Sequence, residues 1–163
     1  MRTMIMPNLS NNPSIYAECL AINGMPDVSS FSPLDFRLAI AEQVKADNIT
    51  MAEALADAGF SLFPESEDLL VICSLLAELR HDWDTAAYLL EKLVAMQDPF
   101  SPPATWQHYI RALRCNCEPI KASEMCQKAL QIHPGHEVLV EEAKSLSDWL
   151  GECNLIAGPE TKQ

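Results

Sequence analysis

Cys115-Asn116-Cys117 is the one cysteine pair in the chain with the look of a metal-ligand set, and Cys126, His133 and His136 follow it. Zinc would need four such groups in a tetrahedron. The spacing matches no common zinc module, there is no second cysteine pair, and Cys126 falls on an apolar helical stripe. These residues therefore read as thiols rather than ligands. Arg114 is adjacent in sequence, which alone is no specific reason for a lowered thiol pKa. His81, His108, His133 and His136 scatter over expected turns and helix ends and are expected to be solvated. Glu141-Glu142, with Lys144 nearby, reads as a solvated face rather than an acid–base pair. With only 5 glycines there is no Gly-rich phosphate loop, and no serine sits in a Gly-x-Ser-x-Gly elbow. No catalytic residue, metal or cofactor is assigned. A helical enzyme using a metal at Cys115 and Cys117 stands as the alternative from a different class.

Composition narrows the partners. The chain has 163 residues, 48% of them hydrophobic and 7% aromatic, with a net charge of −12 and a pI near 4.6. That suffices for one domain with a sizeable core. The acidic balance argues against nucleic acid and anionic membranes, which want a basic surface. Six cysteines are too few for a dense disulfide framework. Cys19, Cys73 and Cys126 lie on expected core faces, so the thiols are read as reduced and the location as cytoplasmic. The first residues carry no long apolar region that would make a signal peptide, and no apolar run is long enough to insert in a membrane.

The elements that position these residues are helices. Residues 1–32 read as an N-terminal extension with a short helix over Ser14–Asn23. Ser32-Pro33 then starts a helix, with Ser32 as N-cap, Pro33 in the first turn and Asp35 favourable at the N-terminal dipole. It runs to about Ala46. Thr50 with Glu53 is the expected capping box of the next helix, which ends near Phe63-Pro64. The acidic run Glu65–Asp68 opens a helix to Leu79; Asp82-Trp83-Asp84 opens one to about Gln97. Ser101-Pro102-Pro103 begins another, in which Trp106, Tyr109, Ile110 and Leu113 share one face. Pro119 suits the first turn of its partner, with Ala122, Cys126, Ala129 and Leu130 along one stripe. A last helix, His136–Leu150, buries Leu139, Ala143, Leu146 and Leu150 and keeps Glu137, Glu141, Glu142 and Asp148 in water. Gly151 is its expected stop, and 151–163 a tail.

A period runs through these helices. Pro64, Pro99 and Pro134 are 35 residues apart; Phe36, Leu70 and Trp106 are 34 and 36 apart, as are Ala52, Ala86 and Ala122. The pattern resembles the tetratricopeptide repeat (TPR), a unit of about 34 residues that begins near a Trp and ends at a Pro. Phe36, Leu70 and Trp106 hold the Trp place, and Gly59 and Ala129 the small residue late in the second helix, with Leu93 the exception. His81-Asp82-Trp83 stands where the family often has Gly-Asp-Tyr, and Trp83 and Trp106 are expected in the core. The chain departs from the family at the first-helix Gly (Ile40, Ser74, Ile110) and at the turn Gly (Asp47, His81, Cys117). The resemblance covers roughly residues 33–150. It implies an all-α fold: a right-handed α-α superhelix of three TPR-like helix pairs plus a C-terminal capping helix.

The same resemblance implies a non-enzymatic protein-binding module. First helices line the concave face in this family, which brings Arg37, Ala41 and Lys45, then Val71, Leu75 and Glu78, then Gln107, Arg111 and Arg114 toward a groove. These groups suit a peptide or amphipathic segment of a partner protein with apolar anchors and some acid. Arg111 and Arg114 are like charges on one helix face, so an acid must compensate them: Glu78, or a carboxylate of the partner. The layout of extension, three pairs and final helix is similar to that of type III secretion chaperones; a scaffold or regulatory subunit of a larger bacterial assembly is the alternative. Pairing with a second copy is left open.

Overall fold

In a computed structural model the described residues are 31–157, with side chains to 151. The expected helix over 14–23, Cys19, Cys153 and most of the tail lie outside what is described. Seven helices order the described chain: α1 (Pro33–Lys45), α2 (Ile49–Leu62), α3 (Glu67–Leu79), α4 (Trp83–Gln97), α5 (Pro103–Cys115), α6 (Pro119–Ile132) and α7 (Glu137–Ala157). They fall into two compact units that divide at Leu69 and Leu70.

The first unit packs α1 on α2. Ser32 caps α1 as expected: its side chain accepts from the Asp35 amide, and Asp35 reaches back to the Ser32 amide at 2.9 Å, a full capping box. Phe36 and Ile40 are wholly buried from α1, Ala52 from α2, and Gly59 faces the Phe36 ring. The expected Thr50–Glu53 capping box does not form. Asn48 precedes the first turn and makes no side-chain cap, so Thr50 lies inside α2. The helix opens two residues earlier, where the Asn48 carbonyl accepts from the Ala52 amide.

The second unit packs α4 on α5, α5 on α6 and α6 on α7. Its core is Leu70, Ala86, Leu90, Trp106, Tyr109, Ile110, Leu113, Ala122, Cys126, Ala129, Leu139 and Leu146. The stripe expected on α5 is thus buried in full. Among the described side chains of α7, Leu139 and Leu146 are fully buried; Ala143 and Leu150 are half-buried. Gly151 does not stop α7, which continues to Ala157. A helical glycine costs only about 1 kcal/mol relative to alanine, and no proline follows until Pro159. Ser101 is buried, its hydroxyl donating to the Val94 carbonyl at 2.9 Å, and the His133 ring donates from Nε2 to the Ser101 carbonyl at 2.7 Å.

Three turns repeat one geometry. Asp47, His81 and Cys117 have φ of 56°, 59° and 60°. At each, the amide of that residue donates three residues back and the next amide five back: Asp47 to Val44 and Asn48 to Gln43, His81 to Glu78 and Asp82 to Ala77, Cys117 to Arg114 and Glu118 to Leu113. This is the Schellman closure, whose left-handed residue is usually Gly. The positions lacking the family's turn glycine still adopt its conformation. Asp and His tolerate that region better than most residues; Cys117 has no such excuse.

Candidate functional site

The richest surface in the second unit lies between α3 and α5. Leu75 and Leu79, one turn apart on α3, are 40% and 52% exposed. With His81, Trp83, Glu78 and Arg111 they line a shallow depression of about 430 Å³. Trp83 is half-buried and its ring meets His81 edge-on at 5.5 Å, so it borders this surface instead of filling the core. It opens α4, one residue after the Asp82 N-cap, and that end position leaves one side of the indole uncovered.

Glu78 forms the floor. It is 6% exposed, so it does not project outward as the groove pattern implied. It ion-pairs with Arg111, and its Oε1 lies 2.8 Å from His108 Nδ1. Arg111 Nη2 is also 3.2 Å from that same ring nitrogen. The expectation of a solvated histidine is met at His81 but not at His108, which is half-buried. Burial holds the His108 pKa below 6.5. A carboxylate at 2.8 Å would ordinarily raise it, but Arg111 already compensates Glu78, so loss of hydration wins. His133 and His136 are likewise half-buried, the first by its bond to Ser101.

The remaining expected contact residues sit as follows. Arg37 is exposed and pairs with Asp68 at 2.7 Å. Lys45 is exposed and pairs with Glu42 at 2.7 Å. Ala41 and Val71 are half-buried and Gln107 is exposed. Arg114 pairs with Glu142 and reaches the Ser145 hydroxyl at 3.4 Å. Glu142 is therefore half-buried rather than in water; the arginine on α5 draws it inward. Every cation expected to greet a partner has an acid of its own chain. What stays uncompensated on the α3–α5 face is apolar.

The described cysteines gather into no site. Cys115 and Cys117 are exposed free thiols; Cys126 is buried, with Sγ 3.4 Å from the Leu139 carbonyl. Burial first, and Glu142 second, push the Cys126 thiol pKa up. Among the described residues no three His, Cys, Asp or Glu side chains gather as a metal site would require.

Comparison with solved structures now has a geometry to match. The first TPR of Spaghetti (RPAP3) bound to HSP90 peptide SRMEEVD superposes with a TM-score of 0.62 at 14% identity, covering 73% of this chain and 93% of that one. A structure described as MamA MSR-1 C2 superposes at 0.67 and 16% identity, over 85% and 79%. The fold is that of tetratricopeptide repeats. The three helix pairs are thus α1–α2, α3–α4 and α5–α6, with α7 as the further helix. No protein-family model and no curated protein sequence matches the chain.

Leu79, His81, Trp83, His108 and Glu142 are the site residues that sequence reasoning missed. Leu79 was within reach, four residues from Leu75 on the same helix. His108 and Glu142 were harder. Their partners, Glu78 and Arg114, are 30 and 28 residues away, a little under one repeat. A search for opposite charges at that spacing would have found both.

Proposed function

We propose that the chain is a non-enzymatic protein-binding module, and that a segment of its partner seats an apolar side chain in the depression between α3 and α5. The observation that carries this is the pairing of exposed Leu75 and Leu79 with half-buried Trp83 above a floor whose charges are already matched. Apolar surface left open beside compensated charge favours an apolar anchor over a salt bridge as the source of affinity. The wider contact set within the second unit is Val71, Gln107 and Arg114 with Glu78 and Arg111, the polar members adding register more than strength; Arg37 and Lys45 belong to the first unit. That a TPR structure of similar fold was solved with a peptide supports the same reading.

Among the described residues no helix is long and apolar enough to cross a membrane. The exposed free thiols suit a reducing compartment, so a cytoplasmic module is the simplest version. A secretion chaperone and an assembly scaffold are two finer forms of it, separated by what the module holds: an apolar secreted protein, or a subunit of a standing complex. The test is affinity capture with the full chain against Leu75→Asp, Leu79→Asp and, as a control away from the depression, Tyr88→Asp on α4, followed by mass spectrometry. Proteins lost with both leucine variants and kept with Tyr88→Asp support the site. Equal capture by all four proteins overturns it.

A further inference from the structure

The floor of the depression holds an arrangement with two mutually exclusive states. His108 Nδ1 is 2.8 Å from Glu78 Oε1 and 3.2 Å from Arg111 Nη2. A ring nitrogen that carries a proton donates to the carboxylate. A bare one accepts from the guanidinium. It cannot do both. A neutral ring carries its proton on one nitrogen or the other: on Nδ1 it is donated to Glu78, on Nε2 it leaves Nδ1 to accept from Arg111, and in both forms Arg111 keeps its ion pair with Glu78. In the imidazolium both nitrogens carry protons, so Glu78 has a second cation beside it and Arg111 faces a like charge 3.2 Å away. The Arg111 side chain is 49% exposed and lines the depression, so it has room to turn outward. Glu78, at 5% side-chain exposure, has none.

We propose that His108 is a proton switch for this surface: a neutral ring keeps Arg111 drawn against Glu78, and a protonated ring takes over Glu78 and releases Arg111 into the depression, adding a carboxylate-binding group beside the apolar anchors. The inference rests on the depression being the partner's seat and specifies its regulation: in mildly acid conditions the preferred segment is apolar with an acidic neighbour. The proton comes from solvent and nothing else is consumed. Among the described residues the groups bonded to His108 are Glu78 from α3 and Arg111 from its own helix. Charged groups of α4, α6 and α7 beside α5 are engaged elsewhere: Glu91 with Lys121, Lys128 over the Trp106 ring, Glu142 with Arg114. His81 lines the same depression. The low affinity of His108 for protons places the switch below pH 6.5.

The experiment is NMR of the full-length chain, without partner, labelled at histidine and arginine nitrogens and titrated between about pH 5 and 8. The Arg111 side-chain signal is expected to move with the midpoint of His108, to stay still in His108→Gln, and to keep moving in His81→Asn. In Arg111→Gln the uncompensated Glu78 draws a proton onto the ring, and the His108 midpoint rises by about 1–3 pH units. An Arg111 signal that ignores the His108 titration, or a His108 midpoint that stays or falls in Arg111→Gln, overturns the switch. The two readings fail separately. Capture unaffected by Leu75→Asp removes the docking site and leaves the co-titration; a flat Arg111 signal removes the switch and leaves the docking site.

Discussion

The α carbon of Gly59 lies against the ring of Phe36: a Cβ built there falls 2.9 Å from Phe36 Cγ and 3.3 Å from Leu69 Cδ1. Phe36 holds the large residue of the first repeat, and Gly59 the small one that lets α2 approach it. Neither residue is exposed.

Gly59→Ala is therefore expected to destabilise although alanine is the better helix former. Propensity offers about 1 kcal/mol in favour, and overpacking of a wholly buried ring costs about 1–3 kcal/mol. The aromatic ring cannot bend away as a flexible chain end would. The net loss is read as a lower thermal midpoint; a higher midpoint would mean that the α1–α2 contact gives way freely.

Cys117→Gly has the opposite sign. Cys117 holds φ at 60° with its amide bonded to the Arg114 carbonyl. A non-glycine residue in that region loses about 1–2 kcal/mol, and glycine gives back about 0.5–1 kcal/mol through the freer unfolded chain. A small gain in denaturant midpoint is expected, of order 0.5 kcal/mol on these terms, with no gain in Cys117→Ala, which keeps its Cβ. Equal behaviour of the two variants would show the turn to be unstrained.

Stability should fall as the pH drops through 6.5 toward the folded pKa of His108. The folded pKa of His108 is below 6.5, the value of the unfolded chain. In the window between the two, the unfolded chain binds more protons, so stability rises with pH through it and is lower beneath it. His108→Gln is expected to flatten the thermal midpoint over this range. A midpoint that climbs on acidification would mean that the Glu78 carboxylate outweighs burial at His108.

Arg111→Glu combined with Arg114→Glu is a poor probe of binding alone. The substitutions set new carboxylates against Glu78 and Glu142, whose present partners they replace. Leaving a buried charged group unmatched costs about 1–3 kcal/mol, so a lowered melting midpoint is expected along with any loss of capture. Leu75→Asp is the cleaner variant, since Leu75 is exposed and its replacement leaves helix and core in place.

The period was legible because packing is periodic. Phe36, Leu70 and Trp106 had to be large, and Ala52, Ala86 and Ala122 small, for helices to meet at each repeat, and all six are buried. Caps built from neighbours in sequence were partly legible: Ser32 with Asp35 formed, Thr50 with Glu53 did not, because the helix opens at Asn48, two residues before Thr50. The ion pairs were opaque. Arg111 could as well have met a partner's acid as Glu78, and only the helix stacking decides that. Trp83 misled for a related reason. Its type says core, but its place at the first turn of α4 leaves it at the border of a surface.

Asp47, His81 and Cys117 give three turns of one shape three different reactive groups: a carboxylate, an imidazole and a thiol. Each is exposed and each is fixed by the same two backbone hydrogen bonds. The chain thus carries its own reporters, one per helix pair. Alkylation of Cys117, proton titration of His81 and carbodiimide labelling of Asp47 would follow the opening of the three turns one by one, in a single unmodified molecule, and so reveal the order in which the repeats come apart.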